Sequence, residues 1–238
     1  MTSKDFVSLV QIERCDSAEF LRLSYEFCAL LSQIGIKTIP TRTPQNLKFN
    51  KRSRSHQKKV IAYLDMNISI LKECVAEGSS DPSPKLLLWK LFKKIGSAPA
   101  DDLFDKISDD DLVEVYFPDH TPIFRSMQFY RETSYTIDEA LCSTWYGFAR
   151  RNIVITLKLM RTILNFIRKN HHETLSYNLP SHNIDELGTE QEYRHWMTMK
   201  YISGAHKNGK LAAVISVSHI TNMGSLKEGA LREDVVWM

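Results

Sequence analysis

Residues 112–141, LVEVYFPDHTPIFRSMQFYRETSYTIDEAL, are the stretch on which the reading of this chain turns. Two short apolar runs, 112–117 and 122–126, flank Pro118-Asp119-His120-Thr121, which carries the turn chemistry that closes a hairpin. A compact helical segment is predicted directly after the hairpin. Strands followed by a helix inside thirty residues place the chain in the α+β class, and the flanking sequence extends both kinds of element.

Toward the C-terminus, Trp145, Tyr146 and Phe148 form an aromatic knot, and Asn152 is a fair cap for a long helix. Ile153, Leu157, Met160, Leu164 and Ile167 follow one stripe of that helix. Ile155, Leu159, Ile163 and Phe166 widen the stripe, while Lys158, Arg161 and Arg168 take a narrower basic face. Such a helix is expected to lie across a sheet with one side wet. A poorly defined strand over 173–179 is broken by Pro180, and a polar loop is predicted for 181–191. A clear hairpin comes next. Its first arm, 193–203, puts His195, Met197, Met199 and Tyr201 on one face and Trp196, Thr198, Lys200 and Ile202 on the other. Asn208-Gly209 supplies the tight turn, because both residues tolerate positive φ, and the second arm, 210–218, is nearly all apolar.

Within this half, Phe129, Thr133, Ser134, Tyr135, Asp138, Glu139 and Leu141 stand in the order and spacing of an aromatic, then Thr-Gly-Tyr, then Ser-x-Glu-Glu-Leu. The last two strands meet at Asn208-Gly209 and end in His219-Ile220-Thr221, where Asp-Ile-Thr would complete the pattern. Residues 109–223 thus resemble the PAS family of sensory domains. Ser126, Ser134 and His219 depart from the family's Asn, Gly and Asp. The resemblance implies a domain over 106–223, an antiparallel sheet with the long helix packed across it, homodimerisation and a small apolar ligand between helix and sheet. In that register Phe124, Phe129, Tyr135, Trp145, Met160, Leu164, Met197 and Met199 would converge as the binding residues, with Tyr135 orienting a polar group. The plainer alternative is that they fill a core. A covalent flavin adduct is not expected, because the family's reactive cysteine position falls on Trp145 and Cys142 lies three residues too early. Haem-binding members of the family take a histidine from the long helix; between Asn152 and Asn170 there is none, so His171 would have to serve from the helix end.

The N-terminal part, 1–105, is predicted to be helical and resembles no family. Asp16 and Glu19 read as a capping pair for a helix over 16–34, with Phe20, Leu23, Phe27, Leu30, Leu31 and Ile34 on one stripe and Gly35 as the stop. A long, partly mobile loop is expected after it, then a helix from Ser55 carrying Val60, Leu64, Ile68 and Leu71. A third helix is capped by Ser83, opened by Pro84 and stopped by Gly96. Lys48, Lys51, Arg52, Arg54, Lys58 and Lys59 form a basic cluster with no acidic residue among them. Cations entering a helix N-terminus could meet nucleic-acid phosphates or a protein partner; a solvated basic loop is the bland alternative. Asp101, Asp102, Asp105, Asp109, Asp110 and Asp111 lack the order of a calcium loop and read as a solvated linker, the expected domain boundary. Residues 224–238 are a tail too short for sustained heptads.

At 238 residues, 43% apolar, 25% charged and with a net charge of +3, the composition is that of an ordinary folded protein. No apolar run approaches the roughly 18 residues of a membrane span, and MTSKDFVSLVQIERC lacks the apolar block of a signal peptide, so a cytoplasmic protein with no membrane partner is expected. Cys15, Cys28, Cys74 and Cys142 match no Cys-x-x-Cys spacing and read as reduced thiols. His171-His172-Glu173 is the only dense ligand set, and neighbouring residues on a helix point about 100° apart, so a polar helix end accounts for it. There is no Gly-x-Ser-x-Gly elbow, Walker loop, Rossmann fingerprint or His-Glu-x-x-His motif, and no enzyme is expected. Two functions remain open. One is a sensory module for signal transduction or gene regulation, in which ligand binding or dimerisation is transmitted to the N-terminal helices. The other is an adaptor or regulator that binds nucleic acid or protein through the basic cluster, with the PAS-like half as scaffold.

Overall fold

The computed structural model describes residues 3–144, 146–147 and 149–227, with side chains from residue 16 onward. In chain order the elements are α1 (Ser3–Gln33), α2 (Arg54–Ala76), α3 (Pro84–Ile95), β1 (Ala98–Pro99), α4 (Leu103–Lys106), β2 (Leu112–Tyr116) and β3 (Pro122–Arg125). There follow α5 (Met127–Glu132), α6 (Ile137–Cys142), β4 (Ala149–Arg151), α7 (Ile153–Lys169), β5 (Leu175–Ser176), β6 (His182–Glu186), β7 (Tyr193–Lys207) and β8 (Lys210–Ser225). The chain is α+β, as its sequence predicts. It forms two compact units, one from residues up to Ser80 together with Thr136–Ser143, the other from Asp81–Tyr135 together with the chain from Thr144 on.

In the first unit α1 buries Phe20, Leu23, Phe27 and Leu31, and α2 buries Val60, Leu64, Ile68 and Leu71. The predicted helix start at Asp16 is overridden. Nothing in residues 3–15 breaks a helix, so α1 runs through Asp16, and Glu19 takes Arg22 as an i,i+3 ion pair at 2.8 Å instead of capping. The segment after Gly35 is tied down by turns, burial and hydrogen bonds. It carries short 3-10 turns at Pro44–Asn46 and Phe49–Lys51, and it buries Ile36, Leu47 and Phe49. Phe49 stacks on Phe20 with ring centroids 4.4 Å apart. The Asp138 carboxylate of α6 accepts the amides of Lys48 (2.7 Å) and Phe49 (2.9 Å), and Glu139 accepts both contacts of Arg42 (2.7 and 2.6 Å). A polar sequence is ordered here by acceptors ninety residues downstream, which no local pattern announces.

The second unit is an antiparallel sheet in the order β3-β2-β8-β7-β6-β4, with β1 and β5 also paired to β7. Both predicted hairpins form. In the first, Asp119 accepts the Thr121 amide at 3.0 Å and His120 takes a φ of 66°; in the second, Asn208 and Gly209 sit at φ 53° and 72°. β7 and β8 are long, and their pairing shifts register three times: β8 carries an extra residue at Met223 and at Ala212, and between these β7 carries one at Lys200. The middle bulge changes the alternation, so Ile202 is buried while Tyr201 is half-exposed. Two sequence readings are corrected. The strand β6 lies inside the predicted polar loop, and Asp111, expected in a solvated linker, is buried with its carboxylate on Lys200 at 2.7 and 2.9 Å. The second unit begins at Asp81, and in it β1 pairs with β7 and the Lys207 ammonium donates to the Ile95 carbonyl at 3.2 Å, which ties α3 to the sheet. Among the described residues no helix is long and apolar enough to cross a membrane.

Candidate functional site

The second unit encloses a cavity of about 60 Å³, lined from one face of the sheet and from α7. Strand alternation supplies the lining: Leu112, Glu114 and Tyr116 from β2, Val214 and Ser216 from β8, His195, Met197 and Met199 from β7, Ile184 and Glu186 from β6, Ala149 and Arg151 from β4. Leu159 and Ile163 of α7, Phe129 of α5, Ile220 of β8, Phe117, His120, Thr133, Tyr135 and Tyr177 complete it. Most of the wall is apolar. The polar groups fall into two sets.

One set is built on Glu114 and Arg125, direct cross-strand partners in β2 and β3. The Arg125 guanidinium, fully buried, pairs with Glu114 at 3.0 Å and lies 4.3 Å from the Phe129 ring centre. The Tyr116 hydroxyl donates to Glu114 at 2.6 Å. Burial pushes the phenols of Tyr116 and Tyr177 well above their ordinary range, so both stay neutral. Burial also lowers Arg151, against the favourable fields of Glu114, Tyr116 and Tyr177.

The other set is built on Glu186, which accepts five donors: the Ser134 amide (2.8 Å), the Ser134 hydroxyl, the Thr189 hydroxyl (2.8 Å), the Tyr193 amide (3.3 Å) and Nε2 of His195 (3.2 Å). Burial pushes its carboxyl up, but the donors led by His195 and Ser134 outweigh burial and hold it below the ordinary carboxylate value. His195 is 1% exposed, and among the described residues its Nδ1 has no hydrogen-bond partner. With Nε2–H directed at Glu186, Nδ1 is left as an acceptor at the cavity wall. Tyr135 stacks on Phe129 at 6.0 Å, and its hydroxyl accepts the Leu187 amide at 3.2 Å.

Of the residues predicted to converge, Phe129, Tyr135, Met197 and Met199 line the cavity. Phe124 is buried in β3 away from it, and Trp145 lies outside the described residues. Met160 and Leu164 face elsewhere, Leu164 being 49% exposed, and Leu159 and Ile163 take their places. That is a displacement of one residue, about 100° around the helix. Glu114, Tyr116, Arg151, Tyr177 and Glu186 line the cavity without standing in any pattern that marks a binding residue in the sequence. A signal for the first was present, since a lone glutamate between valines in LVEVY faces a lone arginine in PIFR.

The basic cluster belongs to the first unit and divides in two. Lys48 donates to the Ser143 hydroxyl at 3.3 Å and Arg52 to the Cys142 carbonyl at 2.6 Å, placing cations at the C-terminal end of α6. Lys51, Arg54 and Lys58 are exposed and Lys59 is half-buried. Cys142 is buried and its thiol is pushed well up by that burial, which leaves it unreactive. Among the described residues no group of three or more His, Cys, Asp or Glu could hold a metal ion. No protein-family model and no curated protein matches the chain.

Proposed function

We propose that residues 109–223 are a PAS-like sensory module that binds a small ligand in the cavity and transmits its occupancy to the helical unit. The observation that carries this reading is the largely apolar cavity with a buried acceptor, His195 Nδ1, that no group among the described residues satisfies. The order of elements supports it: a hairpin, short helices, a long helix and three closing strands, the last two joined at Asn208-Gly209. Covalent continuity supplies a route for transmission. Tyr135 lines the cavity, and the next residue, Thr136, is the N-cap of α6 in the helical unit. A ligand that prefers one placement of Tyr135 shifts the populations of both units by its difference in affinity.

The regulator reading has less to draw on, since Lys48 and Arg52 are engaged inside the first unit. Native mass spectrometry of the freshly purified protein, with an absorbance scan of the same sample, tests the sensor. An extra mass that leaves on denaturation is the expected result. A bare mass, together with no rise in melting temperature across a panel of small acids, amides and aromatics, overturns it.

A further inference from the structure

We infer that the outer face of α7 docks the chain on an anionic lipid bilayer, with the helix lying in the plane of the surface. The inference is independent of the cavity being a ligand site. It starts from how few of the helix's apolar residues the fold covers. Leu159 and Phe166 are buried, whereas Ile153 is 67% exposed, Val154 56%, Leu157 59% and Leu164 49%. At about 100° per residue, Ile153, Leu157 and Leu164 fall within an arc of about 40°, and Leu159 and Phe166 lie about 150° away from it. The fold therefore holds one side of α7 and turns an apolar stripe outward, and a contiguous stripe of this kind marks an interaction site.

Charge decides what covers the stripe. Arg168 and Arg161 border it, Lys158 and Lys169 follow on the same side, and all four are exposed. No aspartate or glutamate occurs from residue 140 to residue 172. An exposed apolar stripe bordered by cations is the pattern of helices that lie in the lipid interface, where apolar side chains enter the acyl boundary and lysine and arginine reach up to the headgroups. Acidic phospholipids supply the complementary negative charge, and a fluid surface needs no matching shape. A second copy fits less well, because facing α7 helices would bring cations against cations. At 17 residues α7 lies on the surface without crossing it.

The test is flotation of the full chain with vesicles of phosphatidylcholine alone and of phosphatidylcholine with about one-third phosphatidylserine. The anionic vesicles are expected to carry at least about fivefold more protein, and added salt to weaken that binding. Leu157→Gln with Leu164→Gln, both at exposed positions, is expected to lower the binding about tenfold at an unchanged melting temperature. Arg161→Gln with Arg168→Gln is expected to lower it about fivefold. Lys51→Gln with Arg54→Gln and Lys58→Gln, in the exposed part of the basic cluster, should bind as the unaltered chain does. No preference of the unaltered chain for anionic vesicles overturns the inference without recourse to any variant. Vesicle binding that survives either α7 pair, or that is lost with the basic cluster alone, overturns it as well. If the lipid-free chain sediments as a dimer that Leu157→Gln with Leu164→Gln splits, the stripe belongs to a second copy and the lipid assignment falls.

Discussion

Glu186 is a single carboxylate at the meeting point of a turn, a strand and a histidine, and its five donors hold Ser134, Thr189, Tyr193 and His195 together. Replacing it with glutamine keeps the shape but turns one acceptor oxygen into a donor facing donors. Glu186→Gln is expected to lower unfolding free energy by about 1–3 kcal/mol at neutral pH. The pH dependence has a definite sign. Because the folded-state pKa lies below the ordinary glutamate value, the stabilisation is full above that ordinary value and is lost as pH falls through the folded pKa. Urea unfolding of the two proteins at pH 7 and at pH 3 should show their midpoints converging in acid; a gap that stays constant or widens refutes this account of Glu186. His195 belongs to the same knot, which fixes the direction of its Nδ1.

Among the elements, α7 best separates what the sequence makes legible from what it leaves open. Its start at Asn152, whose side chain accepts the Val154 amide at 2.9 Å, and its amphipathic character are both readable from residues 152–169. The rotation is not, because apolar residues occupy well over half its circumference and periodicity alone admits either stripe. In the structure Leu159 and Phe166 are buried, whereas Ile153, Leu157 and Leu164 are exposed. Leu159→Ala should therefore cost about 2–5 kcal/mol, and Leu157→Ala should stay within about 0.5 kcal/mol. Equal losses in thermal or chemical unfolding would show that the helix presents the other face. The strand β6 was illegible for the opposite reason. His182-Asn183-Ile184-Asp185-Glu186 reads as a loop, yet His182, Asp185 and Glu186 are buried because partners distant in sequence satisfy them, Asp185 by Arg194 at 2.7 Å and Glu186 by its knot. Strands with alternating Met or Val, and turns with Asn-Gly, announce themselves locally. A buried polar strand does not, and half of the cavity's chemistry sits on such residues.

At the scale of the whole molecule, the chain passes between its two units three times, after Ser80, after Tyr135 and after Ser143. The short insertion matters most. All six residues of α6 are buried, the Ile137 and Asp138 amides donate to the carbonyls of Ile39 (3.1 Å) and Pro40 (3.0 Å), the Asp138 carboxylate accepts the Lys48 and Phe49 amides, and Glu139 accepts from Arg42. A chain begun at Asp81 would keep every strand but would take from α6 the acceptors of two amides and the donors of two carboxylates. Each group left unsatisfied costs about 1–3 kcal/mol, a large share of the roughly 5–15 kcal/mol that stabilises a domain. Asp138 would relieve part of that by protonating: burial already raises its carboxyl even against the Lys48 and Phe49 amides, and losing those donors raises it further. The expected outcome is that residues 81–238 unfold at a lower urea midpoint than the full chain, monitored by far-ultraviolet circular dichroism, and bind a dye for exposed apolar surface. A second truncated chain carrying Ile137→Ser and Leu141→Ser should bind less of the dye, which locates the exposed surface in α6 and not in the sheet. An unchanged midpoint for the truncated chain would mean that the sheet unit folds without its partner and that occupancy of the cavity has no energetic path through α6.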